Sequence, residues 1–209
     1  MSILEQSPAA RPSSRERLLY ASAELFRRQG YAATGLKQVT AEAEAPFGSL
    51  YHHFPEGKQQ LGEEVLRAGG AFFLALYEQI ADAAPGVAAG IADFFVGAGE
   101  TLEATDYADA CPIATVAGET ASTSERLRAA SAGAFESWLA ALAQRGEAEG
   151  LGAARAREVA LSTVMLLEGA FLMSRTLRST EPMAVAGRTA VAVVERALDE
   201  VNASVGRRR

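Results

Sequence analysis

The side chains able to do chemistry are few and unevenly placed. Both histidines, His52 and His53, sit side by side in the run Phe47-Gly48-Ser49-Leu50-Tyr51-His52-His53-Phe54, and the single cysteine, Cys111, lies far along the chain from them. No nucleophile–base–acid set, phosphate-cradling glycine loop or metal-ligand cluster can be assembled from these residues. An enzyme, a metal site and a bound cofactor are therefore not expected. One cysteine also excludes an internal disulfide. What the run offers is a surface. Wound at about 3.6 residues per turn, it puts Leu50, His53 and Phe54 on one side and Phe47, Gly48, Tyr51 and His52 on the other. The first set can anchor a short helix to its neighbours. The second turns two aromatic rings, an imidazole and a bare backbone outward, which suits insertion into a DNA groove. Glycine lets the backbone approach the sugar-phosphate edge, and the phenol and imidazole can hydrogen-bond phosphate oxygens. Periodicity alone leaves the plainer alternative open, that these rings are simply core.

Short helices must hold that surface in place. Leu18, Leu19, Ser22, Leu25 and Phe26 recur at helical spacing from Ser13 onward. Gly30 ends this first helix, because glycine takes a left-handed conformation without steric penalty. A second helix is expected over 36–43, with Leu36, Val39, Thr40 and Ala43 on one stripe and Thr34 and Gly35 near its N-cap. The turn Glu44-Ala45-Pro46 leads into a third over 47–54. Three short helices, the last two separated by three residues, have the layout of a helix-turn-helix. Pro55-Glu56-Gly57 breaks the chain. A long helix then runs from Lys58 to about Ala81, with Leu61, Val65, Ala68, Phe72, Leu76 and Ile80 expected on its buried face.

The remainder also reads as helix, with breaks at Pro85-Gly86, at 106–112, at Gly150-Leu151-Gly152 and at Glu181-Pro182. No alternating segment strong enough for a strand occurs, and no internal repeat. The expected fold class is all-α, with a flexible arm over 1–12, a helix-turn-helix unit over 13–57, a helical domain over 58–205 and a basic tail over 206–209. In the final helix Val191, Val194, Leu198, Val201 and Val205 follow a 3-4 spacing. Such a narrow seam packs on another helix, within one bundle or across a dimer.

With 49% apolar and 22% charged residues in 209, there is ample material for a core. The net charge of −6 conceals an asymmetry: residues 1–60 carry seven basic and six acidic side chains, net +1, and the rest is −7. No uncharged apolar run approaches the ~18 residues of a membrane span, and the N-terminus lacks a secretory apolar stretch. A soluble cytoplasmic protein without a membrane partner is expected.

Taken in order, Gly30-Tyr31-Ala32-Ala33-Thr34, Val39-Thr40, residues 43–48, Ser49-Leu50-Tyr51-His52-His53-Phe54 and Lys58 resemble the N-terminal signature of TetR-type transcriptional regulators across roughly 15–61. More loosely, Pro55-Glu56-Gly57, Cys111-Pro112-Ile113, Phe135-Glu136-Ser137-Trp138 and Leu167-Glu168-Gly169-Ala170 resemble the LmrA/YxaF-like branch. The resemblance implies a homodimeric, ligand-responsive repressor. Its three N-terminal helices would bind a pseudo-palindromic operator in double-stranded DNA, and its C-terminal helices a small molecule that releases the DNA. Matched residue by residue, 47–53 is the recognition helix. Thr34, Lys37, Tyr51, His52 and Lys58 stand where family members commonly touch phosphates. The resemblance also moves the apolar seams toward a dimer interface of Glu168, Leu172, Arg175, Val191, Val194, Leu198 and Val201.

Two positions depart from the family pattern. Glu44 stands where glycine is usual, at about 1 kcal/mol if the backbone there is left-handed. Gly35 replaces a Thr or Ser, removing a hydroxyl. No Arg, Asn or Gln lies within 47–53, so the strong bidentate readers of guanine and adenine are missing from that helix. Specificity is then expected from Ser49, from Phe47 against thymine methyls, from Lys37 and Gln38, and from DNA shape.

For a small hydrophobic or aromatic effector the candidate lining is Phe94, Phe95, Tyr107, Phe135, Trp138, Met165, Phe171 and Met173. Glu168 lies within an apolar stripe and must find a partner or shift its pKa. A cationic or hydrogen-bonding ligand, a neighbouring helix and an arginine of a second subunit such as Arg175 are all open. Cys111, before Pro112 at a helix start, is either a redox-sensitive thiol or a small buried one. A helical adaptor would account for the apolar seams but not for an outward Phe47/Tyr51/His52 face. Repressor and activator share the same DNA-binding unit, so the sequence does not separate them.

Overall fold

The computed structural model describes residues 12–206, with side chains described to Ala203. The arm expected over 1–12 (Pro12 apart), the tail Arg207-Arg208-Arg209 and the side chain of Val205 lie outside that range. Nine helices and no strand occur among the described residues, so the fold is all-α. α1 (Ser14–Gln29) starts at a reciprocal cap: Ser13 Oγ accepts the Glu16 N–H at 3.2 Å, and the Glu16 carboxylate accepts the Ser13 N–H at 2.7 Å. Two donors that a helix start leaves free are thereby satisfied. α1 ends at Gly30, whose φ of +86° lies in the region that favours glycine.

α2 (Leu36–Glu42) and α3 (Phe47–His53) have seven residues each, too few to persist without tertiary support. That support is the packing of Val39, Ala43, Leu50 and Phe54 with Leu18, Ala21 and Phe26 of α1. Glu44 has a φ of +47°, so the departure from glycine does carry the left-handed strain. Arg17 braces the turn, donating to the carbonyls of Ala43 and Glu44 at 2.9 and 3.2 Å.

Six longer helices follow: α4 (Lys58–Ala83), α5 (Val87–Ala104), α6 (Pro112–Thr120), α7 (Glu125–Ala148), α8 (Ala153–Leu177) and α9 (Glu181–Gly206). α4 lies along α7, α5 along α9, and α8 packs on both α7 and α9. At Gly70 the α4–α7 approach is so close that a Cβ would stand 2.6 Å from that of Ala134. Two apolar clusters result. One joins α1–α3 to Leu61, Val65 and Leu66 of α4, Ile113 and Val116 of α6, and Leu127 of α7. The other fills the space between α4, α5, α7, α8 and α9, and Phe135 and Phe171 touch both. The boundary expected between 57 and 58 is thus a break in the chain but not in the core.

The structure refines three expectations, two about helix faces and one about a break. On α4 the buried face runs through Leu61, Val65, Leu66, Gly70 and Tyr77, while Ala68, Phe72 and Leu76 face outward. Phe72 and Phe73 are adjacent, and the i+4 row followed from Ala68 chose the wrong one. On α9 the Val191–Val201 seam is used inside the bundle. Val194 is completely buried, and Val191, Leu198 and Val201 are partly buried against the chain's own core. Finally, α8 ends at Arg178, which is left-handed (φ +50°), and Glu181-Pro182 forms the first turn of α9 rather than the break. Proline is well suited to a first helical turn, where its missing N–H has no partner to lose.

α8 is long and apolar enough in length and composition to span a membrane, although Arg155, Arg157, Glu158, Glu168 and Arg175 interrupt it. Its apolar character has two sides. Val164, Leu167 and Ala170 face the core, whereas Leu161, Met165, Leu172, Met173 and Leu177 are exposed.

Candidate nucleic-acid interface and ligand cavity

α3 presents the two faces that its sequence implies. Leu50 and Phe54 are completely buried, and the His53 ring nitrogen Nε2 lies 2.7 Å from Ser14 Oγ, tying the helix to the start of α1. Outward stand Phe47 (44% exposed), Gly48, Tyr51 (48%) and His52. The Phe47 and Tyr51 rings meet edge to face at 5.8 Å and have no part in the core. A Cβ on Gly48 would meet nothing within 4 Å, so packing inside the chain does not require glycine there. Ser49 donates to the Pro46 carbonyl at 2.7 Å, fixing its hydroxyl at the helix start. Beside α3, Lys37 and Gln38 of α2 are exposed, and Gln38 exchanges side-chain hydrogen bonds with Gln29 at 2.8 and 3.2 Å.

Thr34 does not join this surface. It is buried, its hydroxyl donates to the Gly30 carbonyl at 2.7 Å, and its N–H donates to Tyr31, so it braces the α1–α2 turn from within. Lys58 is half-buried. Its ammonium lies 4.4 Å from the centre of the Tyr31 ring and donates to Ala32 O at 3.3 Å, with burial lowering its pKa somewhat.

The same turn is gripped from the other side. Glu119, near the end of α6, accepts the N–H groups of Tyr31 and Ala32 at 3.2 and 2.7 Å. A Cβ on Gly30 would overlap its carboxylate, so glycine is needed there for space as well as for φ. Arg27 of α1 adds an ion pair to the buried Asp109 at 2.5 Å, just before α6. Neither Glu119 nor the Arg27–Asp109 pair was found from the sequence, where partners about 80 residues apart leave no periodic signal.

The far end of α6 borders a cavity. Cys111 caps this helix, its Sγ accepting the Ala114 N–H at 3.5 Å, and burial pushes the thiol well above its ordinary pKa. A buried neutral thiol is therefore found, rather than one activated by the helix dipole. The cavity, about 50 Å³, is walled by side chains of α4, α5, α7 and α8 together with Cys111. Phe94, Phe95, Trp138, Glu168 and Phe171 line it as expected. Tyr107 and Phe135 pack behind the wall, Phe135 edge-on to Trp138 at 5.4 Å. Met165 and Met173 are on the opposite side of α8, 65% and 54% exposed. The expected lining had merged two faces of that helix. Phe73, Tyr77 and Ile91 were missed, the first two through the face error on α4.

Glu168 reaches no arginine, and its one polar neighbour is the Cys111 thiol at the start of α6. Both its carboxyl oxygens are buried without a hydrogen-bonding nitrogen or oxygen, and desolvation pushes its pKa up to about 7. Arg175, the suggested partner, instead donates to the carbonyls of Tyr107 and Ala108 at 3.3 and 3.2 Å. Among the described residues no group of three His, Cys, Asp or Glu side chains could hold a metal ion.

Two family models cover most of the chain: bacterial regulatory proteins of the tetR family at 18–65, and the C-terminal domain of LmrA/YxaF-like transcriptional regulators at 87–189. The chain belongs to the TetR family of transcriptional regulators. Among its relatives, the HTH-type transcriptional regulator LmrA of Bacillus subtilis is 33% identical over 170 residues, spanning 81% of this chain and 90% of that protein. The uncharacterised HTH-type regulator YxaF of the same organism is also 33% identical, over 83% and 91% of the two chains. A TetR regulator from Legionella pneumophila shares the fold at a TM-score of 0.77 and 19% identity, covering 87% of this chain and 97% of its own. TetR-family regulators bind DNA, typically as dimers. In this regulator α6 grips the α1–α2 turn through Glu119 near one end and borders the α8-lined cavity through Cys111 at the other.

Proposed function

We propose that this regulator is a cytoplasmic repressor that binds a pseudo-palindromic operator as a homodimer and is released by a small hydrophobic effector. The observation that carries the reading is the outward Phe47/Gly48/Tyr51/His52 face on a helix too short to stand alone, connected through α6 to a cavity. Seated in the major groove, α3 would bring Phe47 to thymine methyls, Gly48 to the backbone, and Tyr51 and His52 to phosphates. Lys37, Gln38, Ser49 and Lys58 would contribute at the margins. With no bidentate base reader on α3, DNA shape would carry much of the specificity.

The exposed Leu161, Met165 and Leu172 of α8 recur on one face and support that helix as the surface joining two subunits. Two recognition helices would then need to stand ~34 Å apart to enter successive grooves. The cavity is far below the ~300 Å³ at which drug-sized ligands are usually held, so an effector must part the helices that wall it. Displacement at Cys111 would travel along α6 to Glu119 and the α1–α2 turn. By linkage, operator DNA would weaken effector binding by the same factor that effector weakens DNA.

Selection of bound sequences from random duplexes, followed by titration of the winner at rising salt, tests this. The expected result is a two-fold-related site bound by a dimer, with affinity falling steeply as salt displaces phosphate contacts. A monomer with no preference among duplexes at low salt would overturn it.

A further inference from the structure

Two polar groups with no hydrogen-bonding nitrogen or oxygen share the cavity wall: the Glu168 carboxyl of α8, which meets only the Cys111 thiol, and the Tyr77 hydroxyl of α4. The other polar lining groups are committed. Trp138 Nε1 donates to the Gly70 carbonyl at 2.9 Å, and Thr163 Oγ1 donates to the Val159 carbonyl at 2.9 Å. We propose that the cavity takes a lipophilic aromatic amine as its ammonium ion, with Glu168 as counter-ion and aromatic side chains around the charge. The proposal rests on the reading of the cavity as the effector site and names the chemistry of the effector.

Charge decides between ligand classes. No basic side chain lines the cavity among the described residues. Arg175 is turned to the Tyr107 and Ala108 carbonyls, and Arg145 is paired with Asp82 at 2.6 Å with its guanidinium 5.8 Å from the Tyr77 ring centre. The remaining titratable lining groups, Cys111 of α6 and Tyr77 of α4, are both held neutral at ordinary pH by burial, and α5 and α7 contribute none. A hydrocarbon would leave the carboxyl as unsatisfied as before, and an anion would be repelled. An ammonium supplies several strong N–H donors to carboxyl oxygens that otherwise meet only a weak thiol donor, and cancels the charge. Tyr77, Phe94 and Trp138 provide π-systems that favour a cation in a dry site.

Glu168, with its raised pKa of about 7, adds a proton to the balance. Below that pH the carboxyl must lose its proton to solvent as the ammonium arrives. Affinity should therefore rise with pH to about 7 and then level, being about 100-fold weaker at pH 5 than at pH 8.

The test is calorimetric titration of the full chain, without DNA, with 2-phenylethylammonium and 1-naphthylmethylammonium, each against the alcohol of the same shape. The expected result is ammonium binding about tenfold or more tighter than the alcohol at pH 8, the stated pH profile, and loss of the preference in Glu168→Gln. Thermal melting of that variant checks its fold, and the wild-type pH profile stands as evidence if the variant does not fold. Equal or tighter binding of the alcohols, binding of neither amine at millimolar concentration, a flat pH profile, or a preference kept in folded Glu168→Gln each overturns the proposal. Amine binding that leaves affinity for the selected operator unchanged overturns the effector reading while the ammonium site stands.

Discussion

Phe47 with Tyr51 on α3, and Tyr77 with Phe94 on α4 and α5, are both edge-to-face ring pairs with centroids 5.8 Å apart. Their surroundings are opposite. The first pair stands in water at the amino-terminal end, and the second lines an interior cavity. Ring–ring attraction contributes about 0.5–1.5 kcal/mol in either setting, whereas covering a ring gains more. For Tyr77 and Phe94 that larger gain is realised when the chain folds. For Phe47 and Tyr51 it is deferred until a partner covers them. One local geometry thus serves stability in one region and, under the proposed function, recognition in the other, and substitutions should separate the two.

The sharpest separation comes from the interior. Trp138→Ala removes a buried indole and its bond to Gly70, and should lower unfolding free energy by about 3–5 kcal/mol in urea denaturation. A loss below 1 kcal/mol would break the contrast. Next is Glu168. Its folded pKa of about 7 is raised above the ordinary 4.5, so the native state binds the proton more tightly than the unfolded chain. Stability should fall as pH rises from 4.5 to about 7, by up to about 3 kcal/mol, and then level off. Glu168→Gln should remove that slope from melts recorded across the range.

On the outer side, Phe47→Ala and Tyr51→Ala should each weaken operator binding by about 1–3 kcal/mol while changing thermal stability by no more than about 0.5 kcal/mol. Equal losses in both measurements would place these rings in the core after all. The smallest effect is the most diagnostic. Gly48→Ala fills open space on a helix and should stabilise the free protein by up to about 1 kcal/mol while weakening its hold on DNA. A variant improved in both respects would remove the argument that glycine at 48 serves a partner.

How much of this was legible depended on the distance over which each feature is encoded. The first three helices, the stop at Gly30, the strained Glu44 and the two faces of α3 are local, and a few consecutive residues specify them. Interior placement along the long helices was less legible. Phe72 and Phe73 compete for one face of α4, and only the approach of α7 at Gly70 and Ala134 selects Phe73. The α9 seam has a 3-4 spacing equally suited to a partner subunit or to α5 and α8, and the fully buried Val194 shows that the chain uses it internally. Glu168 was marked by its apolar neighbours. Its lack of a cationic partner was not, since that depends on Arg175 turning to a distant loop.

The carboxylate of Glu119 seals two amides of the Tyr31–Ala32 bend, and residues of α4, α6 and α7 floor the helix-turn-helix. A fragment cut at residue 57 would lose both and expose Leu18, Phe26 and Leu50 to solvent. The amino-terminal helix-turn-helix is therefore not a detachable module. Grafting it onto another sensor requires carrying along the carboxylate and its floor, and melting either half should melt the other.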